Sequence, residues 1–240
     1  MHEIETLLYS AILRWIMPQH LLIIGAGEFA DIAYEYFTVD SNYTVVGFAV
    51  EREFLGETEK FGLPVVALED APDQFDASKV SAHVAVTSTQ LNRVRARLID
   101  AAKSQGYRLA NFISPHAMVW RTAELGDNVF IFENNVIQHG VAIEDGCVLW
   151  SGNHVGHQTR IRENCFVSSH VVISGYCDIG ARSFVGVNAS FADKVSTPED
   201  CLVGMAAVVT KSFDTPGLIL NGNPAEASRV SAYRYYKIKP

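Results

Sequence analysis

The chain has 240 residues, 48% hydrophobic and 19% charged, enough apolar material for a sizeable core in one large domain or two small ones. That balance excludes disorder and fibrous structure. A net charge of −8 makes a nucleic-acid backbone or an anionic membrane a poor electrostatic match. No apolar run approaches the roughly 20 residues of a bilayer span. Glu3 and Glu5 stand where a secretory leader would be basic, so the expected location is cytoplasmic.

In chain order, Ile4, Leu7, Leu8, Ala11, Ile12, Trp15 and Ile16 fall on one helical face, which predicts an amphipathic packing helix over residues 1–19. From His20 the sequence Leu-Leu-Ile-Ile-Gly25-Ala-Gly27-Glu28-Phe29-Ala30 reads as a buried strand, a glycine turn and a helix start. A strand follows at Tyr43–Phe48. Glu51, 24 residues after Gly27, lies near the place where a dinucleotide-binding fold keeps a carboxylate for a ribose hydroxyl. A strand at His83–Thr87, an amphipathic helix from Gln90 to about Ser104 and a short strand at Arg108–Phe112 complete a small Rossmann-like α/β domain over 20–112. The G-x-G-x-x-A pattern alone leaves open whether its glycines meet a ligand or only permit a tight turn.

From Ile113 every sixth residue to Val209 is aliphatic, with Phe191 and Thr197 the two exceptions. Six is not a near multiple of 3.6, so a helix fails; the frame is that of a hexapeptide β-solenoid over 113–214, with three short strands to an 18-residue coil. A tail of 215–240 follows. The fourth position after each frame residue is small or medium and holds Cys147, Cys165, Cys177 and Cys201, read as buried fillers and not as metal or redox groups. The third holds Gly140, Gly146, Gly152, Asn128, Asn134, Asn164 and Asn188, residues that tolerate the positive φ of a tight corner. The second is polar and includes Asp127, Glu133, His139, Asp145, Ser151 and His157, which predicts outward side chains. His139 and His157 are one coil apart, about 4.8 Å. That proximity disfavours protonating both and would leave a neutral imidazole to take a proton near pH 7. His154 precedes the inward Val155 and is expected to face outward close by.

A Rossmann-like domain followed by this repeat, with Leu149-Trp-Ser-Gly-Asn-His154-Val-Gly-His157, Gly186-Val-Asn188, Val203-Gly-Met-Ala-Ala-Val-Val-Thr-Lys211 and Gly222-Asn-Pro-Ala225, resembles one family. These are the bacterial sugar acyltransferases, with a left-handed β-helix, that include the UDP-4-amino-sugar acetyltransferases and sialic acid O-acetyltransferases. The resemblance implies an acetyl-CoA-dependent transferase without a metal, forming homotrimers whose acceptor lies in a cleft between subunits. It implies His157 as general base, with His154 and His139 beside it, and acetyl-CoA against Gly175, Val187, Met205 and, through a phosphate, Lys211. It also implies a nucleotide-linked amino sugar, destined for a surface glycan, held by the N-terminal domain at Gly25, Gly27, Glu28, Phe29 and Glu51. Two departures stand out. Gln158 replaces the Asp or Glu that often follows the base, leaving its orientation to another residue such as Glu133; and Phe29 stands where the family often has a histidine. O-acetylation, or a non-catalytic trimer that binds a sugar nucleotide, remains open. A zinc hydratase on a similar β-helix needs three histidines at a spacing this chain lacks, with Arg162 standing five residues after His157.

Overall fold

The computed structural model describes residues 19–240; the helix expected ahead of His20 lies outside the described residues. The chain divides into two units: residues up to Val86 with Asp100–Ala110, and Thr87–Ile99 with Asn111–Pro240.

The first unit is built on β1 (Gln19–Ile24), β2 (Tyr43–Val50), β3 (Glu59–Lys60), β4 (Leu63–Ala67) and β5 (Val80–Val84), in the order β3-β4-β2-β1-β5. All pairs are parallel except β3 with β4. The succession β4-β2-β1-β5 is that of one half of a doubly wound sheet. Leu21–Ile24 are fully buried, as the unbroken apolar run of a central parallel strand requires. Helix α1 (Glu28–Asp40) buries Phe29, Ala30, Ala33 and Phe37. The strand expected at His83–Thr87 begins earlier, because Val80–Val84 pair with β1 and Ala85 already belongs to the turn facing Gly25. The β3–β4 hairpin carries too few residues to show a pattern in the sequence.

In the second unit, two-residue strands recur every six residues and stack into three sheets. The first face starts with Phe112–Ile113, the second with Met118–Val119 and the third with Glu124–Leu125. Partners lie 18 residues apart, as in Ile137 with Val155 and Val155 with Ile173, so the coil length expected from the repeat holds. Frame residues from Ile131 to Val209 are all buried, each apolar one worth roughly 1.5–3 kcal/mol. Ile113 is 39% exposed, since no coil lies beneath it. The four cysteines are buried and free, and burial pushes the Cys201 thiol up to about 11, which fits inert fillers. Corners turn through positive φ at the expected Gly and Asn positions, and also at Gln158, Tyr176 and Lys194.

Residues 87–99 pack with the coils, which the periodic frame gives no sign of. The helix expected from Gln90 begins at Arg93, because Gln90, Leu91 and Asn92 take positive φ. That turn seats Leu91 against Ile219 and Ala232, and the Asn92 amide donates to the carbonyls of Arg182 and Ser183 at 2.9 and 3.1 Å. Beyond the repeat, Ile219–Asn221 extends the first face by pairing with Leu202–Val203.

Asp200 ties these pieces together. It is buried and accepts from Arg93 at 2.8 and 3.0 Å, from Arg182 at 2.9 Å and from the Tyr233 hydroxyl at 3.1 Å. Burial alone would raise its carboxyl, but hydrogen bonds and charge from Arg182 and then Arg93 hold it below the ordinary carboxylate range. A depressed acid contributes stability that is complete above the unfolded value of about 3.9 and is lost as pH falls through the folded value. Asp200→Asn is therefore expected to cost roughly 3 kcal/mol at pH 7. Urea unfolding of both proteins from pH 7 to pH 3 should show the gap closing below about pH 4; a gap that stays constant would refute the assignment.

Candidate active site

Three corners join the faces. The corner between the second and third faces carries, coil by coil, Arg121, His139, His157, Gly175, Asp193 and Lys211. His157 is exposed there, and its backbone N–H donates to Gln138 Oε1 at 3.0 Å. Its imidazole lies on Gly175: a Cβ at that glycine would sit 2.6 Å from Cε1 and 2.8 Å from Nε2. The Tyr176 ring stands edge-on to it, centroids 5.1 Å apart at 84°. Among the described residues no side chain or carbonyl hydrogen-bonds either His157 ring nitrogen, so both are available to a reactant.

His139 sits one coil away, as the 18-residue step requires, but in a different state. Its Nδ1 is 2.9 Å from Thr122 Oγ1, which also accepts from the Gly140 N–H at 3.1 Å. Its Nε2 is 3.3 Å from Gln158 Nε2. With the amide donating to Nε2, the ring keeps its proton on Nδ1 and gives it to Thr122. Both nitrogens are thus engaged inside the chain. Gln158 is turned to His139 and does not orient His157. Glu133, the other expected orienting group, lies on the corner between the first and second faces, where it accepts from Ser151, and not beside His157. His154 is half-buried on the second face, in register between Val136 and Val172.

The expected acetyl-CoA contacts divide between two corners. Val187 and Met205 occupy consecutive coils of the corner between the first and second faces, 37% and 74% exposed. Neither backbone N–H donates to another described residue, so each offers an apolar surface beside an open donor. Gly175 lies instead under His157, and its N–H donates to Asp193 Oδ1 at 2.8 Å; it supplies room and not a donor. Lys211 is exposed on the histidine corner, its ammonium 5.7 Å from the Phe213 ring centroid, and not with Val187 and Met205. The histidine corner and the Val187–Met205 corner flank the second face.

In the first unit, Gly25 has φ +127°, and a Cβ there would meet Ala85 O at 2.6 Å, so this glycine is demanded by the turn itself. Among the described residues a Cβ at Gly27 would meet nothing within 4 Å. Glu28 is exposed and Glu51 closes β2 at the same end of the sheet. Phe29 is 3% exposed: the ring expected to meet a sugar nucleotide is a core residue, because helix α1 turns it onto the sheet. Glu28 and Asp31 occupy the first turn of α1, where the helix dipole's positive end would otherwise favour an added anion.

Two grooves of about 430 and 480 Å³ run along the third face, lined by Arg162, Asp178 and Glu199 in one and Glu144 and Arg160 in the other. Neither contains a histidine. Their charges pair with one another, Arg162 with Asp178 at 2.7 Å and Arg160 with Glu144 at 2.5 Å, so they read as an ion-pair ladder on the coil surface. Among the described residues no three His, Cys, Asp or Glu side chains converge to hold a metal ion, and no helix is long and apolar enough to cross a membrane. Sequence reasoning missed Tyr176, Gln138, Thr122 and Asp193; the usable signal was the coil step, which runs from His157 to Gly175 and its neighbour.

A family model described as bacterial transferase hexapeptide (six repeats) matches residues 122–157, the stretch that holds His139, His154 and His157. The chain is 27% identical over 114 residues to UDP-3-O-acylglucosamine N-acyltransferase of Albidiferax ferrireducens, 43% of this chain and 35% of that protein. It thus spans about a third of that curated relative's length. PerB from Caulobacter crescentus, solved in complex with CoA and GDP-perosamine, is similar with a TM-score of 0.77 and 26% identity, over 87% of this chain and 97% of that one. A histidine-to-asparagine variant of perosamine N-acetyltransferase from Caulobacter crescentus, in complex with the same ligands, gives 0.76 and 25% over 87% and 96%. The repeat unit is a left-handed parallel β-helix, and the chain has the architecture of the bacterial sugar acyltransferases that carry the hexapeptide repeat.

Proposed function

We propose that the chain is an acetyl-CoA-dependent acyltransferase that N-acetylates an amino group of a nucleotide-linked deoxysugar used in a surface glycan. The observation that carries the reading is His157: an exposed imidazole, seated on a glycine, with both ring nitrogens available. The likeness to a perosamine N-acetyltransferase that binds CoA and GDP-perosamine favours an amine acceptor. In the reaction the amine attacks the thioester carbonyl, a C–N bond forms, and His157 takes the amine's proton. The tetrahedral intermediate then expels CoA as thiolate, breaking the C–S bond, and the imidazolium returns the proton to sulfur. The thioester is already activated, so positioning and oxyanion stabilisation supply the rest and no covalent enzyme intermediate is needed.

The open backbone donors at Val187 and Met205 suit the amide-bearing pantetheine arm. They stand on a different corner from His157, so a homotrimer in which one copy supplies the base and the next the CoA shelf brings the two together. In the first unit, Gly27 and Glu51 offer an approach and an acceptor for ribose or base groups. The acidic first turn of α1 directs the diphosphate away from that helix start. The test is thiol release from acetyl-CoA against UDP-, dTDP- and GDP-linked 3- and 4-amino sugars and free sialic acid. Turnover with one amino sugar supports the reading; turnover only with sialic acid moves it to O-acetylation; CoA that fails to bind at all overturns it.

A further inference from the structure

The residue that follows His157 is Gln158, and its side chain serves His139. The geometry points to Tyr176 as the positioning residue for His157, acting by shape where a carboxylate would act by charge; this rests on the reading of His157 as general base. Three contacts define the seat. Gln138 Oε1 holds the His157 backbone N–H at 3.0 Å. Gly175, without a side chain, lets the imidazole lie on the next coil, with a would-be Cβ 2.6–3.1 Å from three of its ring atoms. Tyr176 closes the seat with a ring perpendicular to the imidazole at 5.1 Å, and its backbone N–H donates to the His157 carbonyl at 2.9 Å.

The arrangement restrains the ring plane while leaving Nδ1 and Nε2 unspent. A carboxylate would occupy one of them. Edge-to-face contact of this kind is weak but directional, and turnover is sensitive to displacements of about 1 Å. The Gly175 peptide is itself held by Asp193 Oδ1 at 2.8 Å, so the floor of the seat is fixed from the coil beyond. Tyr176 is 56% exposed, which makes its substitution tolerable to the fold.

The experiment uses the full chain labelled with ¹³Cε1-histidine, the His157 resonance being assigned by its loss in His157→Asn. In Tyr176→Leu this resonance is expected to move toward the position of a free imidazole, and in Tyr176→Phe to stay near wild type. With the acceptor that turns over, Tyr176→Leu is expected to lower kcat about ten-fold or more, to leave the KM for acetyl-CoA within about two-fold, and to be rescued by Tyr176→Phe. Gly175→Ala, whose methyl would displace the imidazole, is expected to give the same kcat loss. An unmoved resonance in Tyr176→Leu overturns the proposal whether or not any acceptor is found, and with an acceptor in hand an unchanged kcat does the same. Full turnover by His157→Asn would instead overturn the base reading, while the resonance shift would still report the seat.

Discussion

His157→Ala is expected to lower turnover by about 10²–10⁴-fold, the range that a positioned general base supplies, and to leave the fold intact. The two halves of that expectation rest on different features. Loss of rate follows because the imidazole is the ring on its corner with nitrogens free to meet an acceptor; His139 has both of its own committed to Thr122 and Gln158. Retention of the fold follows because the side chain is exposed and what it rests against, Gly175 and Tyr176, belongs to the coil whether or not the ring is there. Steady-state acetyl transfer beside a thermal melt separates the two. The same assay on His139→Ala and His154→Ala should give smaller losses. If His154→Ala proved the more damaging, the proton acceptor would be the residue on the second face and not the one on the corner.

How much of this was legible in the sequence depends on what each residue reports. A frame residue's column recurs every six positions, so its identity is constrained again and again; the 18-residue coil and the placing of His139 and His157 one coil apart on the same corner follow from counting. The left-handed corners were visible at glycine and asparagine. They were invisible at Gln158, Tyr176 and Lys194, where the coil imposes the conformation on residues that do not announce it. Side-chain partnerships were the least legible. Nothing in the sequence says that Gln158 turns to His139 and not to the adjacent His157, or that Glu133 is spent on another corner; those outcomes depend on rotamers reaching across coils. The glycine turn shows the same limit. Gly25 and Gly27 look alike in the sequence, yet one is required by a neighbouring carbonyl and the other by no described residue, and Phe29 beside them points inward because α1 must cover the sheet. Residues 87–99 pack with the coils, and helix periodicity alone cannot tell which surface an apolar face meets.

Within that segment a large loss of stability is expected at Arg95. The side chain is fully buried, and its guanidinium donates to the carbonyls of Gly146 at 2.8 Å, Asn164 at 2.8 Å and Thr87 at 2.7 Å, and to Asn92 Oδ1 at 3.0 Å. Burial pushes it down to about 10, so it stays charged at neutral pH and part of its hydrogen-bond energy is offset by desolvation. Arg95→Ala recovers that penalty but leaves several buried carbonyls without a donor, at about 1–3 kcal/mol each, and opens a cavity. The orphaned carbonyls win, and a net loss of roughly 3 kcal/mol is expected. For a chain of this size that lowers the Tm by about 6–12 °C. Arg95→Lys should recover only part, because one ammonium cannot reach both Gly146 and Asn164 as the planar fork does. Turnover at low temperature should be unchanged in both variants, since none of these partners lies on the histidine corner. A Tm shift under about 2 °C for Arg95→Ala would mean that the clasp contributes little and that residues 87–99 are held by Leu91 and Asn92 instead.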